Sequence, residues 1–195
     1  MFTGIIESIG TIRQIQTEGK NKHFQVASDI SKELKVDQSV AHDGVCLTVT
    51  KIDEDTHWVT AIDETLKKSN LDKLMPSSAV NLERCMLNNG RFDGHIVQGH
   101  VDQTATCTRI EEKGGSWEFD FEYDPALQNV TVEKGSITVN GTSLTCFNSE
   151  LNKFTVAIIP YTYEHTSIKN VKVGSVVNLE FDIVGKYVKR LMNLA

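Results

Sequence analysis

DGVCLT at residues 43–48 returns as NGTSLT at 140–145, and VNLE at 80–83 returns unchanged at 177–180. Both pairs stand 97 positions apart, and Ser39-Val40 with Ser136-Ile137 and Thr65 with Thr162 keep the same offset. The opening TGIIESIGTIRQI aligns with QGHVDQTATCTRI at 98–110, at an offset of 95. Four blocks that keep order and spacing make the chain two homologous halves, 1–90 and 91–182, followed by a tail at 183–195.

Each half reads as β-structure. SVAHDGVCLTVTKI alternates small or apolar residues with polar ones and places Asp43-Gly44 at a turn. HWVTAI, WEFDFEY, GSITV, KFTVAII and SVVNLEF are further short runs rich in Val, Ile, Thr and aromatics. ETLKKSNLDKL, at 64–74, has the spacing of a short helix or turn, and EEKGGSWEF that of a hairpin tip. About six strands in under about a hundred residues fit a small Greek-key barrel, so the fold expected is mainly β, two tandem six-stranded barrels. In the tail, Ile183, Val184, Tyr187, Val188, Leu191 and Met192 share one face, with Lys186, Lys189 and Arg190 on the other. That amphipathic helix either folds back on its own barrel or meets copies of itself; periodicity alone does not choose.

Composition excludes several classes. The net charge of −6 lacks the basic surface of a nucleic-acid binder, and no apolar run reaches the ~20 residues of a membrane span. MFTGIIESIG has neither the basic start nor the cleavage site of a signal peptide. Cys46, Cys85, Cys107 and Cys146 form no CxxC pair, which argues against a zinc site and against a disulfide scaffold. The expectation is a cytoplasmic protein in a reducing compartment. No phosphate loop, dinucleotide fingerprint or hydrolase elbow occurs.

The halves differ where chemistry could sit. Cys46 and Thr48 correspond to Ser143 and Thr145, His100 to Ile5, and Lys134 to Asp37. A free cysteine is most often a buried structural thiol, and a lysine at a strand start a solvated charge. His95 and His100, five apart, would face opposite sides of a strand and share no metal. Glu64-Thr65 and Tyr161-Thr162 follow strand ends, where they serve either a pocket or a helix start.

MFTGIIE at the start, DGVCLTVT, ETL, VNLER, GHIVQGHVD, KGSITVNGTSLT, IIPYT and VNLEFD together resemble the riboflavin synthase family, over essentially the whole chain. Departures are few: Cys146 stands where an aliphatic residue is commoner, and Ser77-Ser78 where Gly-Asp is. The resemblance implies a homotrimer built through the C-terminal helix, with each active site between the first barrel of one subunit and the second barrel of its neighbour. It implies dismutation of two 6,7-dimethyl-8-ribityllumazine molecules by four-carbon transfer, giving riboflavin and 5-amino-6-ribitylaminouracil. No cofactor or metal is implied; association with lumazine synthase is a further expectation.

Carried over by motif, Cys46, Ser39 and His100 fall on catalytic positions. Cys46, or a water or hydroxyl beside it, would add to C7 of the acceptor lumazine, with His100 as proton shuttle. On that basis Cys46→Ser should lose most turnover yet bind substrate. Substrate contacts are implied for Leu47, Thr48, Lys134, Ser143, Leu144, Thr145 and Asp182. Backbone groups of four stretches complete the pockets: Gly4, Ile5 and Ile6; Thr60, Ala61, Ile62, Asp63, Glu64 and Thr65; Gly99 and Val101 around His100; and Ala157, Ile158, Ile159, Pro160, Tyr161 and Thr162. Two rivals share the barrel class. A non-catalytic lumazine carrier could let its second pocket drift, whereas KGSITVNGTSLT and IIPYT are intact here. A flavin reductase would need a nucleotide-binding α/β domain.

Overall fold

The computed structural model describes residues 1–192. The first half forms β1 (Ser8–Glu18), β2 (Asn21–Ala27), β3 (Ser39–His42), β4 (Val45–Asp53), β5 (Thr56–Ala61), α1 (Asp63–Lys68) and β6 (Ala79–Arg84). The second forms β7 (Gln103–Glu112), β8 (Trp117–Tyr123), β9 (Ser136–Val139), β10 (Thr142–Phe147), β11 (Lys153–Ile158), α2 (Pro160–His165) and β12 (Val176–Phe181), and α3 (Ile183–Met192) ends the described chain. Each set of six strands closes into an antiparallel barrel, ordered β1-β2-β5-β4-β3-β6 and, equivalently, β7-β8-β11-β10-β9-β12. The Greek-key expectation holds, and even the bulge is repeated, between Ile12 and Gln14 in β1 and between Cys107 and Arg109 in β7.

Alternation puts one face of every strand inside, and the two interiors are filled differently. The first is aliphatic around Phe24, with Ile12, Val26, Val49, Val59 and Leu82 buried. The second is aromatic: Phe121 lies 5.7 Å from Phe154, and Tyr123 meets Phe181 edge-on at 5.2 Å. The first also buries a polar chain. His42 Nε2 lies 2.8 Å from His57 Nε2, His57 Nδ1 lies 2.8 Å from Ser31 Oγ, and His42 Nδ1 lies 3.1 Å from Val40 O. Only one proton assignment satisfies it: His42 donates from Nδ1 to the carbonyl, His57 donates from Nε2 to His42, and Ser31 donates to His57. Burial holds both imidazoles neutral, His42 lowered to about 3 and His57 to about 4.

The barrels meet across a pseudo-twofold axis at the two repeated turns. Asp43-Gly44 and Asn140-Gly141 both take left-handed φ, and a Cβ on Gly44 would stand 2.7 Å from the Gly141 amide nitrogen. Around them the repeated asparagines bond across the boundary: Asn81 Nδ2 donates to Asn140 O at 2.8 Å, and Asn178 Nδ2 to Asp43 O at 2.9 Å. Ser167 N donates to Asn81 Oδ1 and Asn70 N to Asn178 Oδ1, both at 2.6 Å. The recurrence of VNL is thus explained by an interface that uses both the oxygen and the nitrogen of each asparagine side chain. One twin position is unequal. Where the second half has Asn140, the first has a buried carboxyl, Asp43, raised by that burial to about 7 despite bonds from the Asn81 amide and Ser167.

α3 does not fold its apolar face onto its own barrel. Lys186 Nζ lies 2.7 Å from Asp102 Oδ2 and Lys189 Nζ donates to Gln128 O at 2.6 Å, so the basic side is tethered. Val184, Tyr187, Val188 and Leu191 are exposed on the outside. Residues 193–195 of the predicted helix lie outside the described residues.

Candidate active site

Two glutamates at the ends of corresponding strands build the site. Glu180, at the end of β12, accepts hydrogen bonds from the amides of Gln98 at 2.7 Å and of Gly99 and His100 at 2.9 Å each. Glu83, at the end of β6, accepts from Thr3 N at 2.7 Å and Gly4 N at 3.0 Å. Burial raises both carboxyl pKa values, and the amide donors pull them back. Each glutamate therefore holds the segment that leads into its own barrel, and that segment lies on the other barrel. Cys46 N donates to Gly99 O and Ser143 N to Gly4 O, both at 2.8 Å. Gly4 and Gly99 share φ +79, and a Cβ on either would come within 2.6 Å of the Cβ of Ser143 or Cys46. Only glycine allows so close a crossing. Phe2, fully buried, ties the two arms together: Phe2 N donates to Val97 O at 2.8 Å, and Val97 N to Phe2 O at 3.1 Å.

The result is two related arm-and-strand crossings, the candidate first and second pockets, with unequal side chains. The first is walled by Cys46 and Thr48 on β4, Ser39 opposite Thr48 on β3, and the arm carrying His100. Cys46 is half-buried; burial pushes its thiol pKa up and a hydrogen bond with Ser39 opposes the shift. The second is walled by Ser143 and Thr145 on β10 and the arm carrying Ile5. Here His95 Nδ1 lies 2.7 Å from Ser143 Oγ and Nε2 lies 3.2 Å from Thr138 Oγ1. Ile62, just before α1, and Ile159 and Tyr161, at the start of α2, are exposed. A cavity of about 640 Å³ beside Asp43 and Asn140 contains neither Cys46 nor Ser143.

The lumazine binding domain matches residues 3–85 and again 98–182. Over 194 residues the chain is 43% identical to riboflavin synthase of Bacillus amyloliquefaciens, covering 99% of this chain and 90% of that one. The chain belongs to the riboflavin synthase family. Identity to the Mycobacterium tuberculosis relative of that name is 39% over 201 residues, covering both chains completely. In fold it matches LumP complexed with riboflavin, at TM-score 0.85 and 22% identity over 93% of this chain and 99% of that one. The LumP complex with 6,7-dimethyl-8-(1'-D-ribityl) lumazine matches at TM-score 0.84 and 20% identity, over 92% and 98%.

The residues carried over from the family pattern are placed unevenly. Cys46, Ser39 and Thr48 stand on the β3–β4 wall that the arm of Gly99, His100 and Val101 crosses, with Val101 packed against the first core and Ile62, Asp63 and Thr65 at the start of α1. Leu47, Ala61 and Ile158 turn their side chains into the barrel cores, which leaves only their backbone groups for a ligand. Thr60 gives its hydroxyl to His23, 2.8 Å away, Asp63 pairs with Lys67, and Glu64 with Lys68. At the second crossing stand Gly4, Ile5, Ser143 and Thr145, with Ile159 to Thr162 at the start of α2, while Leu144 packs its side chain against the second barrel's core. Ile6 is half-buried and Ala157 exposed. Lys134 is exposed, its Nζ 5.0 Å above the Phe147 ring, and Asp182 Oδ1 accepts from Val184 N and so caps α3. Sequence reasoning missed Glu83, Glu180, Phe2 and His95. The repeated glutamate at a strand end was the available signal for the first two. His95 carried none, because its counterpart position falls before Met1.

Proposed function

We propose that this chain is a riboflavin synthase that dismutates two molecules of 6,7-dimethyl-8-ribityllumazine into riboflavin and 5-amino-6-ribitylaminouracil. The observation that carries the reading is the pair of crossed arms. One plan builds two pockets on one chain, as a reaction of two identical substrates requires, yet arms them differently, as a reaction with distinct donor and acceptor requires. Holding two rings face to face supplies most of the acceleration as recovered orientational entropy. The C7 methyl of a lumazine is acidic because its carbanion delocalises into the ring, so the protein's share of the chemistry is proton movement and addition of a nucleophile at C7. We assign proton movement at the first pocket to His100, which is carried by the arm that crosses β4. Burial keeps Cys46 as a thiol, which favours a water or hydroxyl as the attacking group there.

Assembly follows from what is left uncovered. α3 presents Val184, Tyr187, Val188 and Leu191 outward while its lysines are tied to the second barrel, and Ile62 and Ile159 stand exposed beside α1 and α2. A homotrimer joined through α3, with a first pocket facing a neighbour's second pocket, covers both. The lumazine is the small-molecule partner; cytoplasmic location and association with lumazine synthase belong to the same proposal. No helix among the described residues is long and apolar enough to cross a membrane. The test is incubation with the lumazine in cofactor-free buffer: two lumazines should vanish per riboflavin formed. Bound but unchanged lumazine would make the chain a chromophore carrier.

A further inference from the structure

Both barrels lose a strand ladder at the same seam. Between β4 and β5 the pairing runs from Asp53↔Thr56 to Val49↔Val59 and stops, although β4 begins at Val45 and β5 continues to Ala61. Between β10 and β11 it stops at Cys146↔Val156. One residue beyond the last pair stand Thr48 and Thr60 in the first barrel, and Thr145 and Ala157 in the second. The arms meet β4 and β10 at the ends the ladders leave, through Cys46 N and Ser143 N. Thr60 is held there by its neighbours. Val59 and Ala61 fill the barrel, so Thr60 faces out, opposite His23 on β2. Its Oγ1 lies 2.8 Å from His23 Nδ1, and His23 Nε2 lies 3.1 Å from Glu18 Oε2. A carboxylate only accepts, so in the neutral ring Nε2 carries the proton and Nδ1 accepts from the Thr60 hydroxyl. With its proton committed, that hydroxyl has only lone pairs left to offer. Glu18 is exposed, so it sets the tautomer and adds little energy. The twin seam lacks this arrangement: Ala157 has no hydroxyl, and the residue opposite it, Glu118, lies 3.1 Å from Arg109.

We propose that the Thr60 hydroxyl, oriented by His23, is a hydrogen-bond acceptor of the first pocket that reads a donor on the ligand: the ring N3–H or a hydroxyl of the ribityl chain. His23 touches no ligand and acts through Thr60 as a positioning residue. The proposal rests on the reading of the chain as a riboflavin synthase and assigns it two residues, His23 and Glu18, outside the motif pattern. It also gives the asymmetry of the halves a second meaning. Two molecules of one compound must take different roles, and a contact made at one seam only holds one of them in an orientation the other does not share.

Riboflavin, which keeps both donors, is the probe, titrated by its fluorescence. Thr60→Val keeps the shape and removes the hydroxyl; it should weaken one class of sites about five- to tenfold, the loss of one oriented hydrogen bond, and leave the other class unchanged. His23→Phe should do the same, and the double variant should be no weaker than either single one. His23→Asn offers an amide oxygen in place of Nδ1 and should keep most of the affinity. In turnover of the lumazine the loss should appear in KM, with kcat within about twofold. N3-methylriboflavin and lumiflavin, which has a methyl group in place of the ribityl chain, tell the two donors apart. The gap between wild type and His23→Phe should close for whichever ligand lacks the donor that Thr60 reads. A gap that persists with both ligands, or additive losses in the double variant, would overturn the proposal. Riboflavin bound as tightly by Thr60→Val as by wild type overturns it whatever the His23 variants do. A wild-type protein that shows this binding pattern but forms no riboflavin from the lumazine would remove the functional reading and leave the contact standing.

Discussion

Replacing Asp43 by asparagine makes the first half of the chain copy the second, because Asn140 already fills the twin position. Asp43 Oδ1 accepts from Asn81 N at 2.8 Å, as Asn140 Oδ1 accepts from Asn178 N at 2.7 Å, so the geometry has been tried once within the same molecule. The carboxyl, raised from 3.8 to about 7 chiefly by burial, keeps its proton in the folded state where the unfolded chain has lost it. A raised pKa means stability present below about pH 4 and lost as pH rises toward 7. The loss accumulates at about 1.4 kcal/mol per pH unit, so a shift of this size costs the native state on the order of 4 kcal/mol above pH 7. The amide of the asparagine variant has no such proton to lose. Urea unfolding of both proteins should therefore agree within about 1 kcal/mol near pH 4, diverge in favour of Asp43→Asn up to pH 7, and run parallel beyond it. A difference that does not change with pH would refute the assignment of that titration to Asp43.

Other consequences follow from the same contacts. His42 and His57 are lowered from 6.5, so the stability they support is present above that pH and is lost as pH falls toward 4. Two such groups contribute up to about 2.7 kcal/mol per pH unit; nitrogen-15 NMR should find both rings neutral at pH 5.5, and an imidazolium there would contradict the buried chain. Ser77 holds φ +73 where its twin Gly174 holds +89, so Ser77→Gly should stabilise by about 0.5–1 kcal/mol in thermal unfolding. Glu180→Ala frees three amides, one buried and two part-buried; a loss of roughly 1–3 kcal/mol is expected, with lumazine affinity at the first pocket falling in fluorescence titration. Since burial keeps Cys46 protonated, and its twin is already a serine, the motif-based expectation for Cys46→Ser changes. Steady-state assays should now find a large part of turnover retained, and loss of most of it would return the thiolate to the mechanism.

The two barrels were legible because their signals are local. Turn chemistry at Asp43-Gly44 and Asn140-Gly141, alternation along β4 and the apolar stripe of α3 are each written within about a dozen residues. What was not legible depends on segments about 50 to 140 residues apart. Gly4 and Gly99 look like ordinary loop glycines until the arms cross. Val-Asn-Leu-Glu was visible as a repeat, but not that its asparagine clasps the opposite barrel and its glutamate anchors an arm. His95 was judged only as a metal ligand, in a segment read as a strand; it is an irregular arm that sets the His95 ring against Ser143 and holds the His100 amide on Glu180.

Central to this account is that one reaction needs one pocket of each kind, drawn from neighbouring subunits. His100→Ala disables the first pocket and Ser143→Ala the second, so each variant alone should be nearly inactive. Co-expressed with different tags and purified as mixed oligomers, they should regain about a quarter of wild-type turnover, the share of boundaries in a random cyclic assembly that join two intact pockets. Mixed oligomers of confirmed composition that stay as inactive as either parent would contradict it.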